Sequence, residues 1–186
     1  MFTTAQRHRL LGLARAQLEY LLSDGPEPEL PDDAPELMEP RGVFVTLKRQ
    51  GLLRGCIGTL LPELPLGRAI LEMAEAAALQ DPRFPPVRGL ELPDMEIEIS
   101  VLTPFEPVQD PEAIEVGVHG LFIRRGDFSG LLLPQVPTEY GWDREEFLDQ
   151  TCRKAGLPAG AWRDPETHIW RFSAEVFSEA EVTEED

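Results

Sequence analysis

The chain has 186 residues, with 17 Lys plus Arg against 34 Asp plus Glu, and a formal charge of −17. That balance excludes a protein that tracks a phosphate backbone, because such binding needs clustered cations. The composition, 42% hydrophobic and 27% charged, is globular, and only 2 Cys exclude a disulfide scaffold. No apolar run approaches the ~18 residues of a membrane span.

Thr3 and Gln6 have the spacing of a capping box, and Leu10, Leu13, Ala14, Leu18, Leu21 and Leu22 form a stripe at helical spacing. Arg15 breaks the apolar stretch Leu10–Ala14, so the N-terminus reads as a structural helix rather than an export signal. With so few cysteines, the expected location is cytoplasmic. Val43–Lys48 and Leu52–Leu60 read as strands of a hairpin turning through Arg49-Gln50-Gly51. Pro65 suits a helix start, with Leu66, Ala69, Ile70, Met73, Ala74 and Ala77 as its inner face, and Asp81-Pro82 stops it.

Met95, Ile97, Ile99 and Val101 alternate with Glu96, Glu98 and Ser100, the pattern of a strand with one polar face. A second hairpin is expected from Val116–Ile123 and Leu131–Val136, turning through Arg124–Asp127. Asp143 and Glu146 open a helix with Phe147, Leu148, Thr151, Cys152 and Ala155 inside, which ends at Gly156. His168–Phe177 reads as a last strand. Strands in hairpins, irregularly mixed with helices, predict an α+β fold with antiparallel sheets.

The negative charge is concentrated. Residues 24–40 form an acidic Pro-rich loop carrying Asp24, Glu27, Glu29, Asp32, Asp33, Glu36 and Glu39. An acidic tail over 179–186 adds Glu179, Glu181, Glu184, Glu185 and Asp186. Both are expected to be solvated, the tail with little to bury, so that its removal leaves stability unchanged. The body between them is nearly balanced. The chain lacks a phosphate loop, a dinucleotide glycine fingerprint, a Gly-x-Ser-x-Gly elbow, Cys-x-x-Cys and His-x-x-x-His, so no metal site is expected.

The most informative stretch is Leu53-Arg54-Gly55-Cys56-Ile57-Gly58. Residues two apart share a strand face, which puts Arg54 beside Cys56, with Gly58 following. Gly55 and Gly58 would weaken a strand unless a bulge or close approach requires them. A cation ~6 Å from a thiolate favours it by on the order of 2–3 kcal/mol at an effective dielectric of ~20, and burial opposes this. Two readings stand: an inert cysteine beside an ion-paired arginine, or a reactive thiol.

This hexapeptide resembles the signature of the AMMECR-type domain family. Gly42-Val-Phe-Val-Thr-Leu, Asp81-Pro82-Arg83-Phe84-Pro85, Glu98–Pro104, Gly117-Val-His119-Gly120, Leu133–Pro137, Trp142-Asp143 and Lys154-Ala155-Gly156 follow in family order. The resemblance covers about residues 5–178 and reads the whole of 1–186 as one such domain. It implies a larger and a smaller subdomain with a cleft at the signature strand. It implies no reaction and no cofactor. Some relatives are linked to Memo-type and radical-SAM domains, which makes such proteins expected partners.

Further candidates surround this stretch. Glu98 and His119 are candidate general bases beside the nucleophile Cys56, and Arg54, Gly55, Gly58, Arg83 and Gln135 are candidate ligand contacts. Structural readings stand beside them: Glu98 on a solvated rim, His119 as a satisfied imidazole, and Arg83 paired with a carboxylate rather than an anion. The expected function is binding, or modification, of a small anionic or nucleobase-like ligand. The alternative is a non-catalytic adaptor in which the strand is architecture.

Overall fold

In the computed structural model, which describes residues 1–31 and 33–184, the first helix forms as its cap predicts. Thr3 Oγ1 accepts from the Gln6 N–H at 3.3 Å, and Gln6 Oε1 accepts from the Thr3 N–H at 2.9 Å. The helix, α1 (Thr4–Leu22), buries Leu10, Leu13, Ala14 and Leu18. Ser23 closes it by donating its hydroxyl to the Glu19 carbonyl.

The chain divides into two compact units, one of residues 1–102 and 175–186 and a smaller one of residues 103–174. The first contains α1, α2 (Pro35–Met38), β1 (Val43–Arg49), β2 (Leu52–Thr59), α3 (Leu66–Leu79) and β3 (Met95–Leu102). Its antiparallel sheet has the order β2-β1-β3-β8, where β8 is Ala174–Ser178. Gln50 and Gly51, both with positive φ, make the turn between β1 and β2. Helices α1 and α3 pack together against the sheet, over Val43, Val45, Leu47, Ile97 and Ile99. The alternate residues of β1 and β3 lie on the opposite face.

The smaller unit is built on β4 (Glu106–Pro107), β5 (Gly120–Arg125), β6 (Phe128–Leu132) and β7 (His168–Phe172), in the order β4-β7-β5-β6. Two helices follow β6, α4 (Gln135–Tyr140) and α5 (Arg144–Lys154). Asp143 caps α5 by accepting from the Glu146 N–H at 2.9 Å, and the chain leaves the helix through Gly156 at φ +80°. Phe147, Leu148 and Cys152 on α5 are fully buried with Leu121 and Ile123 of β5. Among the described residues, no helix is long and apolar enough to cross a membrane.

Four expectations change. His168–Phe177 is two strands in different sheets, because at Ser173 the backbone bonds sideways to Thr103 instead of continuing a ladder. Val116–His119 is a turn closed on the Glu115 carbonyl, and Val136 lies in α4, so the second hairpin is shorter than expected. Within the acidic Pro-rich segment, Ala34 and Leu37 are core residues and Glu36 is an ion-pair partner of Arg9. The acidic tail is not free either. Its residues Glu179–Glu184 form α6, Val182 is 1% exposed, and Glu179 accepts from the Ile97 N–H and Arg15 Nε, both at 2.9 Å. Of the acidic residues named above, Asp32, Glu185 and Asp186 lie outside the described residues.

The docked tail reverses the stability expectation. Deleting residues 179–186 exposes the core around Val182 and leaves Arg15 without its carboxylate, a loss of about 2–3 kcal/mol. The melting midpoint should fall by about 5–10 °C in a thermal scan. An unchanged midpoint would show that α6 contributes nothing.

Candidate functional site

Strand β2 is the edge of its sheet, and its pairing with β1 slips by one residue. Leu47 faces Gly55 and Lys48 faces Leu53, which leaves Arg54 as the extra residue of a bulge. Arg54 donates Nε and Nη2 to the two oxygens of Glu91 at 2.9 and 3.1 Å, and Nη1 to the Pro85 carbonyl at 2.9 Å. That bidentate pair, together with the Arg88 N–H, lowers the Glu91 carboxyl from its ordinary 4.5 to about 2. The predicted ligand contact is thus committed to an internal carboxylate.

The cation at Cys56 is Arg83. On an edge strand, alternate N–H and C=O groups point away from the sheet and need partners. The Cys56 N–H donates to Asp81 Oδ2 at 2.9 Å, and the Cys56 carbonyl accepts from Arg83 Nη2 at 3.3 Å. Arg83 also donates Nε, Nη2 and its backbone N–H to the Asp81 carboxylate, at 3.0, 2.7 and 3.1 Å. Asp81 is 5% exposed, and first the Arg83 pair and then the two backbone donors hold its carboxyl well below the usual range, against burial. Sequence reasoning read Asp81 as a helix stop and allowed Arg83 a carboxylate partner without naming it; the Asp-Pro-Arg order, which lets one carboxylate collect the following arginine, is the signal for that partner.

The two glycines have separate structural reasons. A Cβ on Gly55 would lie 2.1 Å from the Ala77 carbonyl oxygen, so α3 rests directly on the bare strand. A Cβ on Gly58 would lie 2.2 Å from the Phe44 ring, which occupies the space beside it.

On the face turned away from α1 and α3, the register makes rows across three strands. Cys56, Thr46 and Glu98 form one, and Gly58, Phe44 and Ser100 the next. Thr46 Oγ1 donates to Cys56 Sγ at 3.2 Å. Two strand spacings put Cys56 and Glu98 about 10 Å apart, with Thr46 between them. Lys48 Nζ donates to Glu98 Oε2 at 2.7 Å and stands opposite Glu96 in the register. The Glu98 bond and the nearby Glu98 and Glu96 charges raise the Lys48 ammonium above its usual value, against the effect of burial. All these side chains are half-buried. Phe44, Thr46 and Lys48, which sequence reasoning left out, carry the same period-two alternation as Glu96 and Glu98.

His119 and Gln135 belong to the other unit. His119 Nδ1 accepts from the Glu115 N–H at 2.9 Å, which leaves the proton of the neutral ring on Nε2. Burial first and the Arg171 charge second push its pKa down. Gln135 is exposed at the start of α4, where its carbonyl accepts from Thr138 Oγ1 at 2.6 Å. Cys152 is fully buried, and burial pushes its thiol up. No group of three metal-ligating side chains occurs among the described residues.

The chain is therefore an α+β protein whose signature strand is pinned at a sheet edge by a buried aspartate paired with an exposed arginine. It belongs to the AMMECR1 family, whose model matches residues 11–177. It is 52% identical to a Thermococcus gammatolerans protein over 181 residues, covering 91% of this chain and 88% of that one. A Methanothermobacter thermautotrophicus protein is 51% identical over 177 residues, covering 91% and 92%. The crystal structure of uncharacterized protein PH0010 from Pyrococcus horikoshii is similar, with a TM-score of 0.70 and 47% identity over 95% of this chain and 92% of that one.

Proposed function

We propose that the sheet face around Cys56, Thr46 and Glu98 binds a small nucleobase-like ligand, with Cys56 as a contact thiol. The observation that supports this reading is the pair of rows: Thr46, Glu98 and Ser100 share one sheet face with Phe44, whose ring lies over Gly58. A flat heterocycle stacks on such a ring, and its edge hydrogen-bonds to neighbouring hydroxyl and carboxylate groups. The cations argue against a simple anion. Arg83 is matched by Asp81, Arg54 by Glu91 and Lys48 by Glu98, so none offers an uncompensated charge. Glu98 serves as acceptor for a ring or exocyclic N–H. Modification of the ligand, and cooperation with Memo-type or radical-SAM proteins, are further steps of the same proposal.

The test is a titration with adenine, hypoxanthine, cytosine, uracil and inorganic phosphate, followed by backbone amide shifts. A saturable shift at Thr46, Cys56 and Ser100 with at least one base, weakened by Phe44→Leu and absent with phosphate, is the expected result. Shifts with phosphate alone, or with no base, would overturn it.

A docking role has one observation of its own. Leu52 and Leu90 are 74% and 91% exposed, and both lie near Arg49. Ligand binding that survives Leu52→Ser and Leu90→Ser separates the two readings.

A further inference from the structure

Near the turn between β1 and β2, Arg49, Arg54, Phe84, Pro86, Arg88 and Leu90 line a cavity of about 390 Å³. Its charged groups converge on one carboxylate. Arg54 holds both oxygens of Glu91, and Arg49 Nη1 lies 3.5 Å from Glu91 Oε2. The Arg88 N–H donates to Glu91 Oε1 at 3.0 Å, and Arg49 Nη2 to Asp94 Oδ2 at 3.3 Å. The register sets Leu52 opposite Arg49, so the two side chains leave the sheet on the same face.

The patch is open to solvent. Leu52 and Leu90 keep most of their surface in water, the Arg49 side chain is 40% exposed, and Arg88 is exposed. Three arginines meet two carboxylates here, which leaves one positive charge over. Among the described residues, Arg88 has no ion pair. A single exposed leucine is ordinary, but two beside a cavity rimmed with arginine have the composition of a protein interface.

Three features select the occupant. Leu52 is outside the cavity wall, so whatever covers both leucines is longer than the cavity, as a segment of chain is. One uncompensated charge is too little for a nucleic-acid backbone. A second copy on a two-fold axis would bring the same arginines face to face, whereas a carboxylate completes the charge.

We infer that this patch docks an acidic peptide segment of a partner protein, with an apolar side chain in the cavity and a carboxylate at Arg88 and Arg49. The inference gives the docking role its partner class and rests on that reading. It is independent of the face around Cys56.

The peptide acetyl-Gly-Glu-Leu-Phe-Glu-Gly-amide tests it against two relatives, one with both Glu replaced by Gln and one with Leu-Phe replaced by Ser-Ser. The first should give saturable amide shifts at Leu52, Leu90 and Glu91, and the Gln peptide should bind about three- to fivefold more weakly. Arg88→Gln should shrink that difference, Leu90→Ser should weaken both peptides, and the Ser-Ser peptide should not saturate. Equal binding of the Glu and Gln peptides, or a Glu peptide bound as tightly by Arg88→Gln as by wild type, would overturn the acidic class while leaving docking in place. A Ser-Ser peptide bound as tightly as the first would overturn the apolar anchor. No saturable shift with any of the three would overturn the docking role with it.

Discussion

Replacing Gly55 by alanine should cost about 3 kcal/mol and lower the melting midpoint by about 6–12 °C. The added Cβ would sit 2.1 Å from the Ala77 carbonyl oxygen and 3.1 Å from its carbonyl carbon. Both atoms are backbone in the interior of α3, so a rotamer change cannot relieve the clash. Either α3 lifts from the sheet, opening the core over Ala74 and Ala77, or β2 shifts and the Cys56 row loses its alignment with Thr46. Gly12→Ala is the matching control. It has nothing within 4 Å and lies inside α1, so alanine should stabilise there by about 0.5–1 kcal/mol. Denaturant melts of both variants check the pair. Equal midpoints would mean that α3 does not rest on Gly55.

Asp81→Asn should destabilise by about 2–4 kcal/mol at pH 7, because it removes the charge that pairs with Arg83 and accepts from the Cys56 N–H. The effect has a definite pH sign. The Asp81 carboxyl is held below its ordinary 3.8 in the fold, so its contribution is complete above about pH 5. It is lost as pH falls towards the folded value. Glu91, lowered from 4.5 to about 2 by Arg54, behaves the same way and is common to both proteins. The gap between wild type and Asp81→Asn should therefore be constant from pH 7 to 5 and narrow at pH 4 and 3. Urea midpoints at those four values measure it. A gap as wide at pH 3 as at pH 7 would contradict the role given to the buried Asp81 carboxylate.

Local signals in this chain were legible. The Thr3/Gln6 box, the Gln50-Gly51 turn, the stop at Asp81-Pro82 and the Gly156 exit each depend on residues within one turn of each other. The alternation of β3 was equally plain and put Glu98 on the polar face. What was hidden depends on distant partners. Arg54 was placed beside Cys56 by strict alternation, and one bulge residue sends it to Glu91 instead. The tail looked solvated because five of its eight residues are acids, yet Arg15 and the Ile97 N–H, far away in sequence, bind Glu179. Likewise, nothing in the apolar pattern of His168–Phe177 marks Ser173 as the point where the strand changes sheets.

The central claim is that Cys56 is a thiol presented on a built polar face rather than a packing residue. Timed alkylation with iodoacetamide at pH 7.5, read by mass spectrometry of the two cysteine peptides, tests it most directly. Cys152 is fully buried, whereas Cys56 is half-buried beside the Thr46 hydroxyl. Cys56 should react at least about tenfold faster than Cys152 in the folded protein, and Arg83→Ala should change the Cys56 rate alone. Equal rates for the two thiols, or a Cys56 rate untouched by Arg83→Ala, would contradict the account and leave the strand as architecture.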